Sequence, residues 1–119
     1  VSFFNSCSSD RDEEKTVTPK YNIVGKWKAM QYKDTDGTWK SMAILNWYSQ
    51  FNTDGTYVTY NGNTFNGTYT YDNDSKITAK AGGETVNYTI HSMSGNIAEA
   101  EMYYSSSPND KVTYKLEKQ

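Results

Sequence analysis

The sequence predicts an all-β domain, an eight-stranded antiparallel up-and-down meander closed into a small barrel, and three observations carry that prediction. Turn signals recur at intervals of about ten residues, the usual spacing in sandwiches and barrels. The runs between them alternate apolar and polar side chains. The composition leans toward β-formers, with 11 Tyr, 3 Trp and 4 Phe against 2 Pro. A chain of 119 residues can bury one modest core and is too short for two domains.

The first run, 24–33, places Ile23, Gly25, Trp27 and Ala29 on one side and Lys26, Lys28, Met30 and Tyr32 on the other. Trp27 is therefore expected inside, where a large indole plugs one end of a small barrel and its N–H reaches a nearby carbonyl. Asp34-Thr35-Asp36-Gly37 ends the run. The stretch from Thr38 to Asn46 is the longest connection, and its Ser41-Met42-Ala43-Ile44-Leu45 reads as an irregular lid or one helical turn beside a mobile mouth.

Seven more runs follow, at 46–53, 56–61, 65–71, 76–81, 84–92, 97–104 and 111–117. Thr53-Asp54-Gly55-Thr56, Asn61-Gly62-Asn63, Asp72-Asn73-Asp74-Ser75, Gly82-Gly83, Ser94-Gly95-Asn96 and Ser107-Pro108-Asn109-Asp110 separate them. Asp-Gly, Asn-Gly and Gly-Gly supply the positive φ angles of tight hairpins, and connections this short force antiparallel neighbours. Pairing strand one with strand eight removes both open edges.

Period-two alternation puts Phe51, Tyr57, Tyr69, Ile77 and Ile90 in the core, with Val86 and Tyr88 divided between faces. Ala98, Ala100 and Met102 read as inward, opposite a solvated face carrying Glu99 and Glu101. In the last run Val112, Tyr114 and Leu116 oppose Lys111, Thr113, Lys115 and Glu117.

No reaction emerges from this pattern. His91 is the sole histidine and Cys7 the sole cysteine, so a zinc site built from several imidazoles or thiolates cannot be assembled. Ser92 and Ser94 lack the glycine pattern of a nucleophile elbow. Asp34-Thr35-Asp36-Gly37 and Asp72-Asn73-Asp74 lack the distal Glu of a calcium loop and read as turns. The glycine-containing stretches open no helix, so no phosphate cradle is implied. The expectation is a non-enzyme with no cofactor and no metal. With 12 basic and 14 acidic residues the chain carries no positive field for nucleic acid, and no run approaches the ~20 apolar residues of a membrane-spanning helix.

From Cys7 to about Lys20 the chain shows no apolar period and reads as a linker outside the domain, while Val1 to Ser6 has the apolar-then-small pattern of the end of a secretory signal. Phe4-Asn5-Ser6-Cys7 resembles a relaxed bacterial lipobox, with Asn5 where a small residue is usual. Ser8-Ser9-Asp10-Arg11-Asp12-Glu13-Glu14 is similar to the acidic tract of surface-exported lipoproteins of Bacteroidetes-type bacteria. The resemblance implies that residues 1–6 are the remnant of a signal peptide, that Cys7 is a lipid anchor, and that 7–20 is a tether ahead of a domain at 21–119. It places the protein on the outer membrane, at the cell surface or facing the periplasm.

Val24-Gly25-Lys26-Trp27 is similar to the Gly-x-Trp signature of lipocalins. Phe51-Asn52-Thr53-Asp54-Gly55-Thr56-Tyr57, Gly67-Thr68-Tyr69-Thr70-Tyr71 and Val112-Thr113-Tyr114-Lys115-Leu116 look like the repeated pattern of short bacterial lipocalin-like domains carried on lipoproteins. The resemblance covers about residues 22–117. It implies a calycin-type barrel that can hold an internal ligand. Lipocalins usually set an Arg of the final strand against the signature Trp, and the candidates here are Lys111 and Lys115.

Two functions stay open. The first is a binding protein for a small apolar or amphipathic ligand, with Trp39, Trp47, Tyr48, Tyr57 and Tyr69 as candidate ligand or rim residues. The second is a module with a filled interior that binds a protein or glycan through its loops or outer face. A monomer is expected, and a cavity of several hundred Å³ would favour the first reading.

Overall fold

The computed structural model describes residues 21–71 and 75–119. Cys7, the rest of residues 1–20 and the turn Asp72-Asn73-Asp74 lie outside the described residues.

Among the described residues the strands are β1 (Gly25–Lys33), β2 (Trp39–Ser41), β3 (Tyr48–Phe51), β4 (Thr56–Tyr60), β5 (Thr64–Tyr71), β6 (Lys76–Ala81), β7 (Glu84–Ser94), β8 (Ile97–Tyr104) and β9 (Val112–Lys118). From β3 to β9 each strand pairs antiparallel with the next, while β1 pairs with both β3 and β9. Eight strands thus close the expected barrel. The ninth, β2, is additional to the eight expected and lies within the connection from Thr38 to Asn46.

β2 and β3 lie end to end along the same edge of β1. Gln31 to Lys33 pair with Ser41 to Trp39, and Gly25 to Lys28 pair with Phe51 to Tyr48. The two registers do not match, and the slack leaves the wall between them. Ala43–Leu45 forms one turn of 3₁₀ helix there, ended by Asn46 at φ 56°, whose N–H donates to the Ala43 carbonyl. Asparagine tolerates this left-handed conformation better than most residues. Met42 is buried and its N–H donates to the Met30 carbonyl at 3.0 Å, so the insertion is pinned at its base while Ile44, 90% exposed, projects outward.

Two bulges alter the alternation. Leu116 pairs with Ala29 but Lys115 with Gln31, so Met30 is an extra residue on β1. Beyond it Tyr32 faces Tyr114 and shares its side of the sheet, which corrects its grouping with Lys26 and Lys28. His91 is the extra residue on β7, between Ile90 paired with Ala100 and Ser92 paired with Glu99. Upstream of it Val86, Tyr88 and Ile90 are all buried on one face, so Val86 and Tyr88 do not divide between faces.

The core is aromatic on some strands and small on others. Phe51 meets Tyr57, Tyr69 and Tyr88 at ring separations of 5.4, 5.1 and 5.5 Å, the last two edge-on. Ala79, beside Tyr69 in register, and Ala98 and Ala100 on β8 are almost fully buried. Small residues there leave room for large rings in a narrow barrel.

Candidate functional site

One end of the barrel is plugged. Trp27 is 2% exposed, and its indole N–H donates to the Ile23 carbonyl at 2.9 Å. The residues leading into β1 fold over this end, with Ile23 in the core and the Tyr21 amide donating to the Tyr71 hydroxyl. Trp27 is therefore where the alternation placed it. Its basic partner is Lys118, which pairs with it in register and holds Nζ 5.2 Å from the ring centre. The expected Lys111 and Lys115 lie instead over Tyr103 and Trp39, at 5.3 and 4.4 Å. β9 runs to Lys118, one position beyond the end expected at residue 117.

Above Trp27 three hydroxyl side chains form a floor. The phenols of Tyr57 and Tyr88 share a hydrogen bond, and Ser49 Oγ bonds the Tyr88 hydroxyl at 2.9 Å. Tyr57 is 1% exposed. Burial pushes both phenols above their ordinary range, well above it for Tyr88, although hydrogen bonding to Tyr88, Thr59 and Ser49 partly offsets this at Tyr57. Both are neutral hydrogen-bonding groups at physiological pH. Below the floor the interior narrows to a void of about 20 Å³ beside Phe51 and Ile77.

Above the floor a cavity of about 60 Å³ opens toward the other end, walled by Trp47, Met102, Tyr104, Tyr114 and Leu116. Burial pushes the Tyr114 phenol up, and the neighbouring Tyr104 hydroxyl acts in the same direction. Among the described residues that line this space none is Asp, Glu, Lys, Arg or His. It is polar at the floor, aromatic at the walls and uncharged throughout.

At the mouth the space widens into a groove of about 440 Å³ between the β4–β5 turn, the β6–β7 turn and the loop after β8. Asn63, Phe65, Glu84 and Ser106 line it, and Thr59, Asn61, Val86 and Tyr104 line both groove and cavity. The interior alone is smaller than the ~300 Å³ at which ligand pockets usually begin, whereas the groove falls within the common range.

The candidate rim residues separate. Trp47 lines the cavity, and Tyr57 forms its floor. Tyr48 borders the cavity, but it pairs with Lys28 and stacks on Tyr60 at 5.8 Å beneath the Lys26 ammonium, which places its ring on the outer wall. Trp39 also lies outside, with Lys33 and Lys115 over its ring. Tyr69 belongs to the plugged end, where its hydroxyl donates to the Asn52 carbonyl at 2.7 Å. Alternation could have found Ser49, the inward neighbour of Tyr48, as well as Phe65 and Glu84, which share faces with Tyr69 and Val86, but Asn61 and Ser106 carry no sequence signal because separate turns bring them together.

Of the groups weighed for chemistry, His91 and Glu99 meet, but outside the barrel. His91 lies on the outer wall, 3.5 Å from Glu99, and Asp36 and Asp54 bind the threonines two residues ahead. Among the described residues no three His, Cys, Asp or Glu side chains converge as a metal site would require.

No protein-family model matches the sequence, and no curated protein does. Two solved structures share the fold. A lipocalin-like protein from Bacteroides uniformis superposes with a TM-score of 0.62 at 17% identity, covering 82% of this chain and 98% of that one. An uncharacterized protein from Bacteroides eggerthii gives 0.58 at 14% identity, covering 82% of this chain and 100% of that one. At these identities the likeness establishes a lipocalin-like fold.

Proposed function

We propose that the protein is a non-catalytic binding protein that takes a small amphipathic ligand at the open end of its barrel. The observation that carries this reading is the asymmetry of the two ends. One is plugged by Trp27 and Lys118, and the other widens from an uncharged, hydroxyl-floored cavity into a groove of ligand size. A cavity of about 60 Å³ admits a short apolar group or a few waters, so most of the ligand sits at the mouth. Among the described residues lining the cavity none is a His, Asp, Glu or Lys able to act as general base to the buried hydroxyls, which supports binding over catalysis. The protein acts as a monomer held at the bacterial outer membrane by acyl chains on Cys7, as the lipobox-like stretch suggests.

The small interior also favours a second reading, a module that binds a protein or glycan with no ligand inside the barrel. Two measurements separate them. Protein purified from its source cells and examined by native mass spectrometry is expected to retain a non-covalent mass, and a neutral apolar fluorophore, N-phenyl-1-naphthylamine, is expected to bind the full chain in a way that Trp47→Ala weakens. Bare protein that also ignores the fluorophore would leave the interaction module standing.

A further inference from the structure

We propose that the mouth groove is a saccharide subsite, taking one neutral pyranose ring against Phe65 and Tyr104 with its hydroxyls on Asn61, Asn63, Glu84 and Ser106. The proposal rests on the open end being the binding end and goes further by naming the chemistry bound there.

The lining selects the class. Among the described residues that line the groove Glu84 is the one formal charge, and none is Lys, Arg or His. A phosphate or carboxylate would meet no cation and would face a carboxylate, so anionic ligands, including fatty acids, are disfavoured. A pyranose presents an apolar C–H face and a rim of hydroxyls that both donate and accept. Aromatic rings suit the first. Asparagine amides offer donors and an acceptor, while hydroxyls and a carboxylate complete the set for the second.

The groove is also preorganised. Gly82 has φ +61°, and a Cβ built there would fall 2.5 Å from Phe65 Cδ1, so the ring lies directly on the glycine of the β6–β7 turn. Any side chain at 82 would displace it. The Asn61 amide donates to the Tyr104 hydroxyl at 3.5 Å, tying the β4–β5 turn to the end of β8. Ser106 Oγ donates to Glu84 at 3.1 Å. A carboxylate offers about four acceptor positions, so this bond orients Glu84 and leaves most of its capacity for ligand hydroxyls. Fixing these groups beforehand lowers the ordering cost of binding. Asn63, Glu84 and Ser106 are exposed, so water competes for their hydrogen bonds, and a dissociation constant near ~1 mM for a single ring is expected.

The test is a ¹H–¹⁵N NMR titration of the full chain with methyl α-glucoside, methyl β-galactoside, N-acetylglucosamine and, as the anionic control, inorganic phosphate. At least one sugar is expected to shift the Asn61 and Asn63 side-chain amides and the Ser106 backbone amide saturably, and phosphate is expected to leave them unmoved. Phe65→Ala is expected to weaken binding at least about tenfold. Should that variant unfold, the exposed turn substitutions Asn63→Ala and Ser106→Ala are expected to weaken it about three- to tenfold. The subsite is overturned if no sugar gives saturable shifts up to about 50 mM, if the shifts map elsewhere, or if the variants bind as the parent does. Failure of the sugars with N-phenyl-1-naphthylamine still bound removes the subsite and spares the open-end reading; failure of both removes both.

Discussion

The Lys118 ammonium stands 5.2 Å from the centre of the Trp27 ring, and its alkyl stem lies across Gly25. A Cβ at Gly25 would sit 3.0 Å from Lys118 Cε, at a φ of +137° that side chains rarely adopt. Two residues of the Gly-x-Trp segment therefore share one neighbour on the closing strand: the indole takes its charge and the glycine its methylenes. Lysine can do this without the planar guanidinium because its flexible stem covers apolar surface while its head stays near water.

Substitutions should rank accordingly. Trp27→Ala is expected to destabilise the domain by ~3–5 kcal/mol and Lys118→Ala by ~1 kcal/mol. Gly25→Ala is expected to cost more than ~1 kcal/mol, and removing Lys118 as well should recover only part of that because the backbone strain remains. Urea denaturation of the three single variants and the double variant gives the cycle. Trp27→Ala melting like the parent would overturn the assignment of Trp27 as the plug.

The buried phenols predict an alkaline limit. Burial raises the folded pKa of Tyr57, Tyr88 and Tyr114 above the ordinary 10.0, so their stabilisation is present below pH 10 and lost as pH climbs through the higher folded values. Melting temperature should fall from about pH 10 upward. Tyr88→Phe should make that fall shallower, while lowering neutral-pH stability by ~1–2 kcal/mol because Ser49 and Tyr57 lose their shared partner. An unchanged alkaline slope would contradict the assignment.

The two Asp-Gly-Thr turns predict the acid limb. Asp36 and Asp54 each accept the hydroxyl and backbone N–H of the threonine two residues on, at 2.6 and 2.9 Å for Thr38 and 2.6 and 3.0 Å for Thr56. The threonine hydroxyl is the main cause holding each carboxyl below its ordinary value of 3.8. Their contribution is complete above that value and disappears as pH falls through the lowered ones. Replacing both aspartates with alanine should flatten the acid arm of a stability-against-pH curve, and an unaltered arm would assign it to other groups.

Trp39 and Trp47 should behave differently although only eight positions separate them. Trp39→Ala removes a ring from the outer wall, and is expected to cost ~1–2 kcal/mol through its two lysine contacts with no change in fluorophore binding. Trp47→Ala removes a wall of the cavity and should weaken that binding. Reversed effects would place the mouth on the wrong side of β3.

Cys7 carries the last expectation. Precursor made in cells able to lipidate proteins should enter the membrane fraction, and Cys7→Ser should release it. Equal membrane recovery of the variant would end the reading of Cys7 as an anchor.

Most of the barrel was legible because hairpin turns and two-residue alternation are local signals, and β5, β6 and β8 lie within a residue of their expected limits. What escaped depends on pairing. The bulges at Met30 and His91 add a residue on one strand only, so alternation read along a single strand cannot reveal them. Lys118 and Tyr88 needed the register. The mouth groove needed three turns assembled in space, and turn residues such as Asn61 and Ser106 look alike whether they bind a ligand or only reverse the chain.

The mismatched registers of β2 and β3 have a consequence for how such a barrel can change over generations. An insertion within a paired strand shifts every side chain beyond it to the opposite face, but one between Ala43 and Asn46 is absorbed where no ladder runs. Lengthening a loop costs only slowly growing closure entropy. This part of the wall is a site of length tolerance beside Trp47, where the rim can change shape while Trp27 and Lys118 keep the far end shut.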